Sequence, residues 1–529
     1  MAKRRSGNSR IPITRLLPKN HSSIGRAIFS RGAVILLAIL LELIFIGLGF
    51  LWFNRVSLRV VYLEHLIGAL VVVYLFNSKM DAVSKNTWLM LMMLFPIFGS
   101  LFFLYTKTDF GVRDLKRKVI QYTDEAGKHL KQDAKLLATI KDNHPHTYQL
   151  VTYLNKSPGH FPTYEGSRMT YYALGDDFFP AFKEALLNAE SYIFLEYFII
   201  DEGVMWGEIL TILEQKVSEG VEVRVLYDGM VELSTLSYDY TDRMKALGVD
   251  ARAFAPIRPF LSTYYNYRDH RKITVIDGQV AFTGGVNLAD EYINQIDRFG
   301  RWKDNAIKIE GQAVQTFKAL FLTMWSTTSN EDDFGDFMLD YPSSVEASGY
   351  VAPYGNSPMN YHHIAENVYI DILNNAKDYV HIMTPYLVID SEMMHALTFA
   401  AERGVEVSII MPGIPDKPYA FILGETYFKE LLDAGVSIYR YSLGFVHSKV
   451  FVSDDIKATV GTINLDYRSL YHHFECGVYM YRSEAVKDVE KDFQETLTKC
   501  QRVTYLSLKS RPPLRKLSGY LLKTIAPLL

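Results

Sequence analysis

Apolar positions crowd the first hundred residues. Gly32–Phe53 (GAVILLAILLELIFIGLGFLWF) carries Glu42 as its one charge and is long enough to cross a bilayer. Its length and the lack of a small-residue cleavage site argue against a removed signal peptide. A second run, Leu66–Phe76, reaches spanning length only when extended back through Val60, and it then includes Glu64 and His65. The third, Trp88–Tyr105, has no charged residue and contains a Pro-x-x-Gly kink. A buried core helix is the competing reading of each run, strongest for the middle one. The expectation is a membrane region over 32–106 with two or three hydrophobic helices. Lys3, Arg4, Arg5, Arg10, Arg15, Lys19, Arg26 and Arg31 make 1–31 a basic arm without an acid, and Lys107, Arg113, Lys116, Arg117 and Lys118 follow the third run. Both flanks carry a cytoplasmic signature, which requires an even number of crossings, so the count stays open.

The pattern then changes. Residues 107–167 are mixed polar and helical, a connector near the membrane surface or a solvated linker. From residue 168 helix and strand alternate. Ala181–Glu190 reads as a helix and Tyr192–Ile200 as a buried strand; Trp206–Glu219 reads as a helix ended by Gly220, and Val221–Tyr227 as the next strand. This rhythm predicts an α/β domain with a parallel or mixed sheet. It also repeats. Ala376–Leu387 matches Ala189–Ile199, Ala400–Pro412 matches Gln215–Asp228, and Leu431–Tyr441 matches Met244–Phe254. The offset of roughly 180 residues marks a duplicated domain, not a short solenoid repeat. Two tandem domains are expected, 168–345 and 346–505, followed by a basic amphipathic segment, 506–529.

Composition adds limits. The 529 residues exceed one ordinary core. At 49% hydrophobic and 22% charged, the chain is more apolar than a soluble enzyme of this length usually is, in keeping with a membrane segment. A net charge of −3 argues against an overall nucleic-acid-binding surface. Two cysteines, Cys476 and Cys500, suit neither a disulfide framework nor a zinc cluster.

The strongest signal is a doubled motif. His270, Lys272 and Asp277 lead into Gly284-Gly285 and Asn287; His447, Lys449 and Asp454 lead into Gly461-Thr462 and Asn464. An apolar run follows each His-x-Lys, which puts the two side chains on one face of a strand. Imidazole can attack phosphorus or move a proton, and ammonium can neutralise phosphoryl oxygens. Asp304 and Glu475, downstream in the two halves, can orient an imidazole through its second nitrogen. One histidine from each half would supply a nucleophile and an acid/base across a pseudo-twofold axis, with no metal or other cofactor required. A single His-x-Lys is more often an exposed polar pair, and the matched second copy reverses that judgement. Asp277 and Asp454 precede turn-like residues and are expected to support the fold more than to touch substrate.

At these residues the chain resembles the phospholipase D superfamily, marked by a doubled HxKxxxxD motif, and within it the bacterial cardiolipin synthases. NYRDHRKITVIDG, WKDNAIKIEGQAV, GFVHSKVFVSDD and GTINLDYRS carry the resemblance. It implies transphosphatidylation of two phosphatidylglycerols to cardiolipin and glycerol, with His270 as nucleophile and His447 as acid/base. Lys272, Lys449, Asn287 and Asn464 would hold phosphoryl oxygens, with Asp304 and Glu475 orienting the histidines. It further implies a multi-pass enzyme of a bacterial cell membrane with cytoplasmic catalytic domains, anionic lipids as partners and no nucleic acid; oligomeric state stays open. A hydrolase, a transferase using a CDP-lipid and a catalytically idle membrane scaffold are the rivals. His473 stands where the family more often has Asn, with His472 beside it. An extra phosphate ligand and a tolerated substitute are both open roles for His473. The C-terminal segment suits an anionic membrane interface or an ordinary packed terminal helix.

Overall fold

The computed structural model describes residues 3–4, 58–94, 99–100, 102–104, 110–237, 239–256, 267–329, 334–339 and 342–528. The chain divides into two compact units: 1–18, 115–256 and 266–526 form the larger, and 19–114, 257–265 and 527–529 the smaller. In the smaller unit, helices Leu58–Phe76 and Ala82–Leu94 contribute Val71, Leu75, Trp88 and Met92 to a small core that also contains Phe103. The run 32–53 lies outside the described residues. The expectation of two or three membrane helices is corrected for the rest, because no helix among the described residues is long and apolar enough to cross a membrane. Helix Ala82–Leu94 takes in the start of the third run, and 95–98 lie outside the described residues.

In the larger unit the connector is docked rather than free. Leu115, Val119, Tyr122, Ala126 and Leu130 form a buried stripe at helical spacing. Helices Ala134–Asn143 and Pro145–Lys156 follow, the first capped by Asp133 through the backbone N–H groups of Lys135 and Leu136.

The duplicated part forms two sheets. The first contains β1 (Ser167–Tyr172), β2 (Tyr192–Tyr197), β3 (Glu222–Asp228), β4 (Asp250–Phe254), β5 (Lys272–Ile276), β6 (Val280–Gly284) and β7 (Ala306–Gly311), in the order β1-β7-β6-β5-β2-β3-β4. The second contains β8 (Tyr350–Asn356), β9 (Tyr379–Met383), β10 (Glu406–Pro412), β11 (Ser437–Tyr441), β12 (Val450–Ser453), β13 (Lys457–Gly461), β14 (His473–Tyr481) and β15 (Cys500–Arg502), in the order β8-β14-β13-β12-β9-β10-β11-β15. The first seven strands of each sheet follow the same order, so the sequence repeat is a repeat of topology. In each half the strands that alternate with helices pair in parallel (β2 with β3, β9 with β10), and the motif hairpins pair antiparallel (β5 with β6, β12 with β13). Val314–Ser329 is buried along nearly its whole length and packs on both sheets.

Several element boundaries shift from expectation. The helix read from Ala181 begins at Gly175, with Asp176 and Asp177 in its first turn, and accommodates Pro180. The next strand ends at Tyr197 instead of Ile200. Both cysteines are free thiols.

Candidate functional site

The site forms where the two halves exchange short strands. Arg268–Asp269 pairs in parallel with His473–Phe474, and Arg301–Lys303 pairs in parallel with Gly444–Val446. The backbone N–H of His270 donates to Phe474 O (2.9 Å), and that of His447 donates to Lys303 O (2.7 Å). Each motif histidine is thereby laid beside the residue that precedes the other half's acid. Charged side chains fix these strands. Arg268 pairs with Asp228 at 3.2 Å, Asp228 also accepts from the N–H of Asp269, and Lys303 pairs with Asp492 at 2.7 Å.

The acids therefore cross over. Glu475 accepts from His270 Nδ1 at 2.9 and 3.0 Å, and Asp304 accepts from His447 Nδ1 at 2.6 Å. With Nδ1–H given to a carboxylate, Nε2 of each ring keeps its lone pair. His270 precedes β5 rather than lying on it, and Arg271 between them pairs its guanidinium with Glu196 at 2.6 Å. Lys272 Nζ donates back to His270 O at 2.5 Å, and Lys449 Nζ does the same to His447 O. Histidines, lysines and acids are all buried.

The halves differ in detail. A Cβ on Gly285 would meet Asp304 Oδ1 at 1.9 Å, so that glycine makes room for the acid. At the equivalent place in the second half Thr462 donates its hydroxyl to Glu475. Burial drives the His270 imidazole well below its usual range, and neighbouring Lys272 adds to that. Burial also lowers His447, to about 4, but there Asp304 opposes it. The Asp304 carboxyl is held down by His447 and Lys449 against the opposing effect of burial, whereas burial pushes Glu475 well up. Burial lowers Lys272 to about 8 and Lys449 to about 7.

Asp277 and Asp454 lie apart from this group. Asp277 accepts from the backbone N–H groups of Glu190, Ser191 and Tyr192, and Asp454 accepts from those of Lys377, Asp378 and Tyr379. Each acid holds the entry of the strand next to its own. The asparagines differ. Asn287 accepts from Ile199 N–H and donates to Tyr292 OH, so both ends of its amide are engaged in the fold. Asn464 Oδ1 is buried and has no hydrogen-bond partner among the described residues.

Sequence reasoning missed the aromatic lining. Phe198 stands 4.8 Å from the His270 ring, and Tyr292 and Trp302 each stand 5.5 Å from His447. Their only signal was position shortly after β2 or before Asp304. His473 is buried 5.4 Å from the His270 ring, and neither of its nitrogens has a hydrogen-bond partner among the described residues. His270, His473 and Glu475 each place one donor atom within 4.8 Å of the others, the spacing of a metal ligand set. Lys272 adds positive charge beside both histidines, which opposes a dication there.

Comparison with known proteins follows the same lines. The family model described as "Cardiolipin synthase, PLD-like domain" matches residues 182–325 and 369–497, one stretch in each half. A cardiolipin synthase of Alkalihalophilus pseudofirmus is 31% identical over 500 residues, 93% of this chain and 98% of that one. An uncharacterised protein of Streptococcus mutans is 57% identical over 458 residues, 87% of this chain and 99% of its own. Among solved structures, phosphatidylserine synthase of Haemophilus influenzae superposes with a TM-score of 0.53 at 17% identity, covering 72% of this chain and 98% of that one; the likeness is one of fold.

Proposed function

This chain belongs to the cardiolipin synthase family, and we propose that it joins two phosphatidylglycerols into cardiolipin and glycerol through a phosphatidyl-histidine on His270. The observation that carries the proposal is the crossed pairing of each motif histidine with the other half's acid. It yields two imidazoles with oriented lone pairs and two lysines at one buried place.

The steps balance as two displacements at phosphorus. His270 Nε2 forms a bond to the donor lipid's phosphorus, and the bond to the glycerol headgroup oxygen breaks. His447, as imidazolium, gives that oxygen its proton. A hydroxyl of the second phosphatidylglycerol then loses its proton to His447 and attacks phosphorus; the phosphorus–nitrogen bond breaks and His270 is restored. The assignment of roles follows the asymmetry of the acids. Both histidines meet burial and a neighbouring lysine, which favour the neutral ring, and at His447 the ionised Asp304 works the other way. The negative charge of a bound phosphodiester raises His447 from about 4, toward the range an acid catalyst needs. Lys272 and Lys449 neutralise the non-bridging oxygens, and the Nδ2–H of Asn464 would donate a further hydrogen bond to them. Membrane association through the apolar stretch 32–53 belongs to the same proposal, supported by its hydropathy and by the lipid substrate.

Product analysis tests this reading, using wild type, His270→Ala and His447→Ala in phosphatidylglycerol liposomes. Cardiolipin and free glycerol from wild type, and from neither variant, is the expected result. Phosphatidic acid instead would mean that water takes the acceptor's place and the chain is a hydrolase. Absence of any product until a CDP-lipid is added would replace the donor.

A further inference from the structure

The C-terminus carries a surface that the reaction does not use. After Glu495 the sequence has no further Asp or Glu, while Lys499, Arg502, Lys509, Arg511, Arg515, Lys516 and Lys523 follow. Helix Pro513–Thr524 packs by one face only. A Cβ on Gly519 would meet Thr426 Cγ2 at 2.8 Å and Ile422 O at 3.1 Å, so the backbone itself sits against the domain. Arg515 reaches Glu425 at 3.0 Å, and Lys523 lies 4.3 Å above the Tyr427 ring.

The opposite face is apolar and uncovered. Leu514, Leu517 and Leu521 recur at i, i+3 and i+7 and are 74%, 55% and 61% exposed; Leu506, just upstream, is 76% exposed. An aligned leucine row of this kind marks an interaction surface more than ordinary water-facing helix. Between the helix and the domain, at the side of the leucine face, lies a cavity of about 210 Å³, lined by Gly519, Ile422 and Thr426 and by Lys509, Lys516, Arg511 and Arg515. There the single carboxylate of Glu425 faces three guanidinium groups, those of Arg440, Arg511 and Arg515. Cations thus exceed anions around the helix.

We propose that this helix lies in the headgroup layer of an anionic lipid bilayer, leucines toward the acyl chains and the basic cavity toward lipid phosphate. Apolar burial alone would serve any bilayer; the local cationic excess selects an anionic one. A second copy of the chain fits less well, since pairing these faces would bring like charges together. The inference stands apart from the catalytic reading, because a hydrolase working on anionic lipid would use the same contact.

The test places a nitrobenzoxadiazole label on Leu517→Cys in the full chain with Cys500→Ser. Leu339→Cys, 74% exposed elsewhere on the protein, is the control. In phosphatidylglycerol vesicles the label at 517 should shift to the blue and be quenched by spin-labelled lipid, and the control should remain open to aqueous iodide. Phosphatidylcholine vesicles should give a weaker shift. Iodide quenching at 517 in phosphatidylglycerol vesicles would overturn the proposal. So would a blue shift that grows with protein concentration in the absence of lipid, which would identify a second copy as the occupant. Combining Leu514→Ser, Leu517→Ser and Leu521→Ser should lower turnover on vesicles about tenfold and leave turnover on short-chain monomeric substrate unchanged. Cardiolipin assayed in the same samples separates the two readings, since membrane contact without product would sink only the functional one.

Discussion

Replacing the motif aspartates by asparagine should weaken the protein without disabling it. In each half Oδ1 accepts two backbone N–H groups and Oδ2 accepts one: Ser191 and Tyr192 against Glu190 at Asp277, and Asp378 and Tyr379 against Lys377 at Asp454. Asparagine keeps the shape and tolerates the positive φ of these positions, 51° and 56°. Its carbonyl can retain the two bonds to Oδ1, now without charge. The third N–H would face an amide NH₂, donor against donor. One lost bond and two weakened ones amount to about 2 kcal/mol per site. A loss of that size lowers the melting temperature by about 4–8 °C. The two sites lie in different halves, so the double variant should lose close to the sum. Calorimetry in detergent gives the stability, and turnover on phosphatidylglycerol at 20 °C, well below the transition, gives the chemistry. Turnover should stay within about threefold of wild type. A drop of a hundredfold or more with unchanged melting would refute the reasoning, because it would put these acids in the reaction.

Other expectations concern the buried group itself. His447→Ala should accumulate phosphatidyl-protein on His270 when given a donor with a good leaving group, detectable by intact-mass measurement; label on another residue would reverse the assignment. The lysines act as cations, and burial lowers them to about 8 and about 7, so kcat/KM should fall as pH rises through 7–8. Lys449→Arg should move that alkaline limb upward by at least one pH unit if it retains turnover, and an unmoved limb would clear Lys449 of responsibility. Thr462→Val removes the hydroxyl that steadies Glu475 and should reduce kcat about tenfold, while Thr462→Ser should restore it; equal losses in both would point to packing instead.

Much of this arrangement was legible in the sequence, and the reasons are physical. A duplicated HxKxxxxD pattern on apolar runs specifies strand hairpins, and the observed sheets share one strand order. The supporting role of Asp277 and Asp454 was readable because an acid at a turn has backbone donors nearby. What escaped was anything depending on the contact between halves. No periodicity shows that Glu475 serves His270 and Asp304 serves His447, since short parallel strands from distant segments create those pairs. Asn287 is a similar case: the sequence does not show that Ile199 N–H and Tyr292 OH engage its Oδ1 and Nδ2. The apolar run at 88–105 likewise promised a spanning helix, but no helix among the described residues is long and apolar enough to cross a membrane.

The crossed acids also bear on ancestry. A protein of one half would hold a histidine with no acid to orient it and an acid with no histidine to serve. Such a precursor could work only as a symmetric pair, each copy completing the other. Joining two copies in one polypeptide made that completion independent of concentration. It also released them from being identical. Gly285 beside a short aspartate in one copy, and Thr462 beside a longer glutamate in the other, are differences that no self-paired ancestor could carry. Divergence of that kind lets one imidazole specialise in attack and the other in proton transfer.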